Sequence, residues 1–145
     1  MIEIGPLRPE DRPIWEALAR GYKAFYQTPT SDDGYERTWR QLLDGTEYHG
    51  LGAWVDGQLV GIAHYLFHST FWVGNSCFLQ DLFVDEAARG KGVARALIEQ
   101  VATAARAHEA ARLYWTTKED NTTARALYDQ VARFNGFVRY DYGLR

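Results

Sequence analysis

The chain has 145 residues, 46% of them hydrophobic and 24% charged, with a formal net charge of −3. That length suits one domain with a sizeable core, and the composition excludes disordered and fibrous classes. The negative balance argues against a nucleic-acid partner, which calls for a basic face.

Residues 2–7, IEIGPL, alternate weakly and read as a first strand. They carry no basic-then-apolar leader pattern, and no run in the chain is long enough to span a bilayer, so no membrane partner is expected. Asp11 and Pro13 suit the start of a helix, with Ile14, Leu18, Tyr22 and Phe25 following at helical spacing. Residues 28–34 form a loop, and a second helix carries Tyr35, Trp39, Leu42 and Leu43. LGAWV, Asp56-Gly57 and QLVGIAHYLF read as a hairpin around a tight turn.

Residues 75–84, NSCFLQDLFV, are apolar on both faces and predict a central strand. Cys77 lies in it as a small core residue. As the single cysteine it allows neither an internal disulfide nor a cysteine-based zinc site, so a reducing, cytoplasmic location is expected. A glycine turn and a helix follow, with Val93, Leu97 and Val101 in one apolar row. RLYWTT (112–117) is a fifth strand. Asn121 caps a last helix bearing Ala124, Leu127, Tyr128 and Val131, and Asn135-Gly136 turns the chain into a final strand, FVRYDY. The order is β-α-α-β-β-β-α-β-α-β, a single mixed α/β domain over residues 1–145.

The turn Arg89-Gly90-Lys91-Gly92-Val93-Ala94 sits between a strand end and a helix start, where unpaired N–H groups and the helix dipole favour an anion. A Walker loop needs a hydroxyl residue two places after its last glycine, and Val93 follows Gly92 here; a dinucleotide fingerprint needs glycine where Arg95 stands. Arg89-x-x-Gly92-x-Ala94 instead resembles the Gln/Arg-x-x-Gly-x-Gly/Ala motif of the GNAT N-acetyltransferase superfamily. The flanking order of strand, helix, strand and Asn-capped helix extends the resemblance over nearly the whole chain. Within the superfamily it is similar to the branch with polyamine and histone-type acetyltransferases.

The resemblance implies a mostly antiparallel sheet with splayed central strands, and acetyl-CoA as co-substrate with no metal. Leu82, Phe83 and Val84 would offer backbone to the pantetheine arm. Arg89, Gly90, Lys91, Gly92, Val93 and Ala94 would hold the pyrophosphate, while Asn121, Ala124 and Tyr128 face the cofactor from the last helix. The expected reaction is acetyl transfer to a primary amine by direct attack on the thioester. The alternative is a non-catalytic acyl-CoA sensor.

Tyr128, on the apolar face of its helix, reads either as a core tyrosine or as the acid that protonates the leaving thiolate; the resemblance implies the acid. Many relatives carry a glutamate where Gln80 stands, and glutamine cannot take a proton. Asp81 points to the opposite face in a regular strand and is either a structural carboxylate or a catalytic one. Deprotonation relayed by water through Glu47, Asp81 or a histidine is a further route. His64 and His68 share a strand face, but no third ligand has a recognisable spacing, so no metal is expected.

Residues 31–47 carry Asp32, Asp33, Glu36, Asp44 and Glu47 against Arg37 and Arg40. This acidic segment, with Tyr26, Trp39 and Gln80, reads either as an acceptor site for a polyamine, a lysine side chain or another small cationic amine, or as a solvated helix face. The resemblance implies pairing through the carboxyl-terminal strands, and the apolar-aromatic end strand needs cover, so a homodimer is expected.

Overall fold

Five segments pair into one sheet in the computed structural model, which describes residues 1–144. Strands β1 (Ile2–Pro6), β2 (His49–Val55), β3 (Gln58–Thr70) and β4 (Gly74–Val84) run antiparallel in that order. Strand β5 (Arg112–Tyr114) joins β4 in parallel. Asp56 and Gly57 close the β2–β3 hairpin with φ of 51° and 81°, the pair of left-handed residues that a twist-matched two-residue turn requires.

Helices α1 (Arg12–Phe25) and α2 (Asp32–Asp44) cover one face of the sheet. Trp15, Leu18 and Ala19 of α1 and Tyr35, Trp39 and Leu42 of α2 pack there on Leu59 and Ile62. The buried stripe of α1 is rotated from the expected one: Ile14 and Phe25 face solvent, and Trp15 takes the core. Ser31 caps α2 by accepting from Gly34 N–H at 3.1 Å, and Gly45 ends it with φ 65°. Helix α3 (Val93–Ala107) covers the other face, inserting Val93, Leu97, Ile98 and Val101 among Ala53, Ala63, Cys77 and Leu79. Helix α4 (Thr122–Val131) lies against that second core through Leu127, Tyr128 and Val131, all partly buried.

Two irregularities of β4 shape the rest of the molecule. Strand β5 pairs only with Ser76, Cys77 and Phe78, so from Leu79 onward β4 has no strand neighbour on that side and the sheet splays open. On its other side the register passes from His64↔Asp81 to Tyr65↔Leu79, which leaves Gln80 as an extra, bulged residue. The bulge shifts the alternation, so Leu79 packs toward α3 while both Gln80 and Asp81 turn to a cavity under α1 and α2.

The expected final strand is not formed. Residues 133–144 have no regular structure, and Phe137, Tyr140, Tyr142 and Leu144 are exposed. Its alternating aromatics find no edge within this chain, and pattern alone cannot supply one. No helix among the described residues is long and apolar enough to cross a membrane.

Candidate active site

The cavity between α1, α2 and the bulged stretch of β4 has a volume of about 280 Å³ and contains the Asp81 carboxylate. Trp15, Tyr22, Lys23, Arg37, Tyr48, His64 and Gln80 also line it. Asp81 Oδ2 accepts a short hydrogen bond from the Tyr48 hydroxyl and one from His64 Nδ1 at 3.0 Å. The phenol of Tyr22 stands beside the same carboxylate.

His64 is only 4% exposed, and its other ring nitrogen decides its chemistry. The Trp15 indole N–H lies 3.0 Å from His64 Nε2. Indole can only donate, so Nε2 accepts, the ring is neutral, and the single proton sits on Nδ1, facing Asp81. Trp15 is itself packed into the core, 1% exposed and 4.9 Å from Trp39 between ring centroids. The resulting chain of Trp15, His64 and Asp81 fixes the carboxylate in place. Burial works to raise the Asp81 pKa, but the bonds from His64 and Tyr48 outweigh it and hold the group below the usual carboxylate range. Asp81 is therefore an anion at neutral pH. Tyr48 and Tyr22 are pushed the other way, chiefly by burial and then by the Asp81 charge, so both are neutral donors.

Tyr128 lies on the splayed side. Its ring packs edge-on against Trp115 with centroids 5.3 Å apart. Its phenol is close enough to Tyr26 to feel a charge there, and it adds to the raised pKa of Tyr22. Burial is the main cause that pushes Tyr128 up to about 12, which keeps its proton on at neutral pH. Asn121 caps α4, its side-chain oxygen accepting from Ala124 N–H at 3.4 Å while its amide donates to Thr117.

Gly90 and Gly92 adopt φ of 79° and 82°, and a Cβ built on either would meet nothing within 4 Å. Backbone conformation demands these glycines, and the turn they form is open and begins α3. Arg89 does not point over the turn. Its Nε donates to Val84 O at 3.1 Å and its guanidinium lies 5.6 Å from the Phe83 ring centroid, bracing the end of β4 against the turn. Leu82, Phe83 and Val84 thus form the stretch between the splay and the glycine turn, with Lys91, Val93 and Ala94 completing the turn and the first residues of α3.

The acceptor residues expected from the sequence scatter. Gln80 lines the cavity. Trp39 is 4% exposed in the core behind Trp15. Tyr26 packs against Tyr22 at 5.2 Å, at the side facing Tyr128. Asp32 lies outside the cavity, bonded to Arg20 at 2.7 Å. Glu47 borders a separate depression beside Gln41, Asp44 and Tyr48. His68 is far from the cavity in its own pairing with the Tyr114 hydroxyl at 2.6 Å, and no cluster of three or more His, Cys, Asp or Glu among the described residues could hold a metal. Trp15, Tyr48 and His64 were not foreseen as a unit. The one sequence signal was His64, a polar residue inside the otherwise apolar run GIAHYLF.

A family model described as the acetyltransferase (GNAT) family matches residues 13–134. The chain is 35% identical over 143 residues to the D-amino-acid N-acetyltransferase HPA3 of Saccharomyces cerevisiae, covering 96% of this chain and 89% of that protein. It is 30% identical over 96 residues to a thialysine N-epsilon-acetyltransferase of Caenorhabditis elegans, covering 66% of this chain and 60% of that one. Among solved structures, a ribosomal-protein-alanine N-acetyltransferase from Brucella melitensis biovar Abortus 2308 superposes with a TM-score of 0.83 at 26% identity, covering 99% of this chain and 100% of that chain. An aminoglycoside N-acetyltransferase in complex with CoA shares the fold with a TM-score of 0.88 at 17% identity, covering 100% of this chain and 96% of that chain.

Proposed function

Because the chain belongs to the acetyltransferase (GNAT) family, we propose that it moves an acetyl group from acetyl-CoA to the primary amine of a small acceptor. The observation that carries this reading is the meeting of three features at one end of β4: the Asp81 cavity, the splay beyond Phe78, and the open Gly90–Gly92 turn. CoA fits the splay and the turn. Unpaired backbone of β4 would receive its amide arm, and the N–H groups at the start of α3 would receive its phosphates. The co-substrate supplies an activated thioester, so no covalent enzyme intermediate is needed.

The protein's own work is then to place the amine and supply one proton. Asp81, held as an anion by His64 and Tyr48, accepts a hydrogen bond from the amine N–H and aims its lone pair at the splay. A carboxylate this acidic is a poor base for a free ammonium, whose pKa is about 10.4 for a lysine-like amine, so the acceptor reacts as the neutral fraction. Gln80, the bulged residue, cannot take a proton and serves as a polar wall. Attack by the neutral amine forms the C–N bond as the C–S bond breaks. Tyr128, protonated until about pH 12, gives its proton to the leaving thiolate. The proton shed by the former amine nitrogen passes to solvent, from which Tyr128 is reprotonated. The amino-acid acceptors in the names of both curated relatives support a small amine acceptor here.

The test is acceptor-dependent thiol release from acetyl-CoA in the parent and in Tyr128→Phe. Losing a general acid lowers kcat by about 100-fold or more, while CoA affinity stays within a few-fold. Undiminished kcat in the variant would remove Tyr128 from the chemistry.

A further inference from the structure

The cations of α1 and α2 divide into two groups. Arg12 is bonded to Glu36 at 2.7 Å and to Glu16 at 3.0 Å. Arg20 is bonded to Asp32 at 2.7 Å and to Glu16 at 3.1 Å, and Arg40 to Glu36 at 2.9 Å. These pairs use up Glu16, Asp32 and Glu36 on the outer surface. Lys23 and Arg37 are different: both line the Asp81 cavity, and among the described residues neither makes a side-chain hydrogen bond or an ion pair. Arg37 is exposed, and its Nη2 lies 3.9 Å from where a Cβ on Gly34 would stand, so the guanidinium rests beside a residue that has no side chain.

The cavity thus holds one half-buried carboxylate, a neutral imidazole, neutral phenols and two unpaired cations. A polyamine entering it would find one anion and two like charges. An acceptor bearing both an amine and a carboxylate would find a partner for each end. We infer that Lys23 and Arg37 form a carboxylate clamp, and that the acceptor is an amino acid or a similar amine carrying a carboxylate. The inference rests on the acetyl-transfer reading above and assigns the specificity of that same site. Arg37 offers a planar fork that matches a carboxylate, and Lys23 adds a point charge. The amine end points to Asp81, and the carboxylate stays toward the helices.

The test uses matched acceptors that differ only in the carboxylate: lysine against cadaverine, and phenylalanine against phenethylamine, each amino acid in both enantiomers. The readout is the ratio of kcat/KM within a pair. The parent is expected to favour the carboxylated member, mainly through KM. Arg37→Gln and Lys23→Gln are each expected to lower that ratio by about 10-fold, the range for losing one charge-assisted bond. Arg40→Gln, whose side chain lies outside the cavity, leaves it unchanged. A parent that uses the decarboxylated amine as well or better, or variants that keep the ratio, would overturn the clamp. Should no amine be turned over, the acetyl-transfer reading falls, and fluorescence titration of Trp15 and its neighbours with the same pairs decides the clamp separately. Tighter binding of the amino acid that is lost in Arg37→Gln supports it; equal binding refutes it.

Discussion

The Trp15 N–H can only donate, and that one constraint turns the His64 Nδ1 proton toward Asp81. Neither end of the reaction then titrates in the neutral range on the protein side. Asp81 stays ionised because its bonds hold it below the ordinary carboxylate range, and Tyr128 stays protonated up to about 12 because it is buried. The kcat/KM for the acceptor should therefore rise with pH at about unit slope through the neutral range, following the amine's own ionisation. Acceptors of different basicity should move that limb by the difference in their pKa values. A limb fixed at one pH for every amine would point to a titrating protein group and contradict the assignment. The unit of Trp15, His64 and Asp81 was not legible in the sequence because its members lie 49 and 17 residues apart; His64 and Asp81 meet through sheet register, and Trp15 reaches them through the packing of α1 on the sheet.

Between strand and helix, the turn at residues 89–94 was legible, because glycine at two nearly adjacent positions means left-handed backbone or close approach, and the first condition holds at both Gly90 and Gly92. The capping role of Asn121 was legible for a similar reason, since its side chain satisfies a specific N–H of α4. The bulge at Gln80 was not. A regular strand puts Gln80 and Asp81 on opposite faces, and nothing in NSCFLQDLFV announces the extra residue. Gly92→Ala tests the turn directly. A β-carbon at φ 82° costs about 1–2 kcal/mol, and the added methyl occupies the open space proposed for phosphate. The expected result is a lower melting temperature together with CoA binding weakened by about 10-fold or more, at least the loss of one charge-assisted bond. A variant of reduced stability with unchanged CoA affinity would separate the turn from the cofactor.

For the molecule as a whole, two cores on opposite faces of one sheet hold the splay open: α1 and α2 on one side, α3 and α4 on the other. Most of this layering follows from apolar spacing, and the hairpin and the cap of the last helix follow from Asp56-Gly57 and Asn121. The end of the chain does not, because a strand exists only with a neighbour. The arm at residues 133–144 leaves Phe134, Phe137, Val138, Tyr140, Tyr142 and Leu144 exposed, more apolar surface than an isolated chain usually shows. If a second copy covers that arm, light scattering gives twice the 16.6 kDa chain mass, and removing residues 133–145 returns the monomer. A parent that scatters as a monomer at working concentration rules out the homodimer.

The central claim is transfer of an acetyl group to an amine, and the most direct measurement is mass analysis of the acceptor after incubation with acetyl-CoA alongside thiol release. The expected result is one acetyl group on the acceptor nitrogen for each thiol released, dependent on both protein and amine. Thiol release with acetate as the product and no acetylated amine, or no release with any amine while CoA still binds, would contradict it.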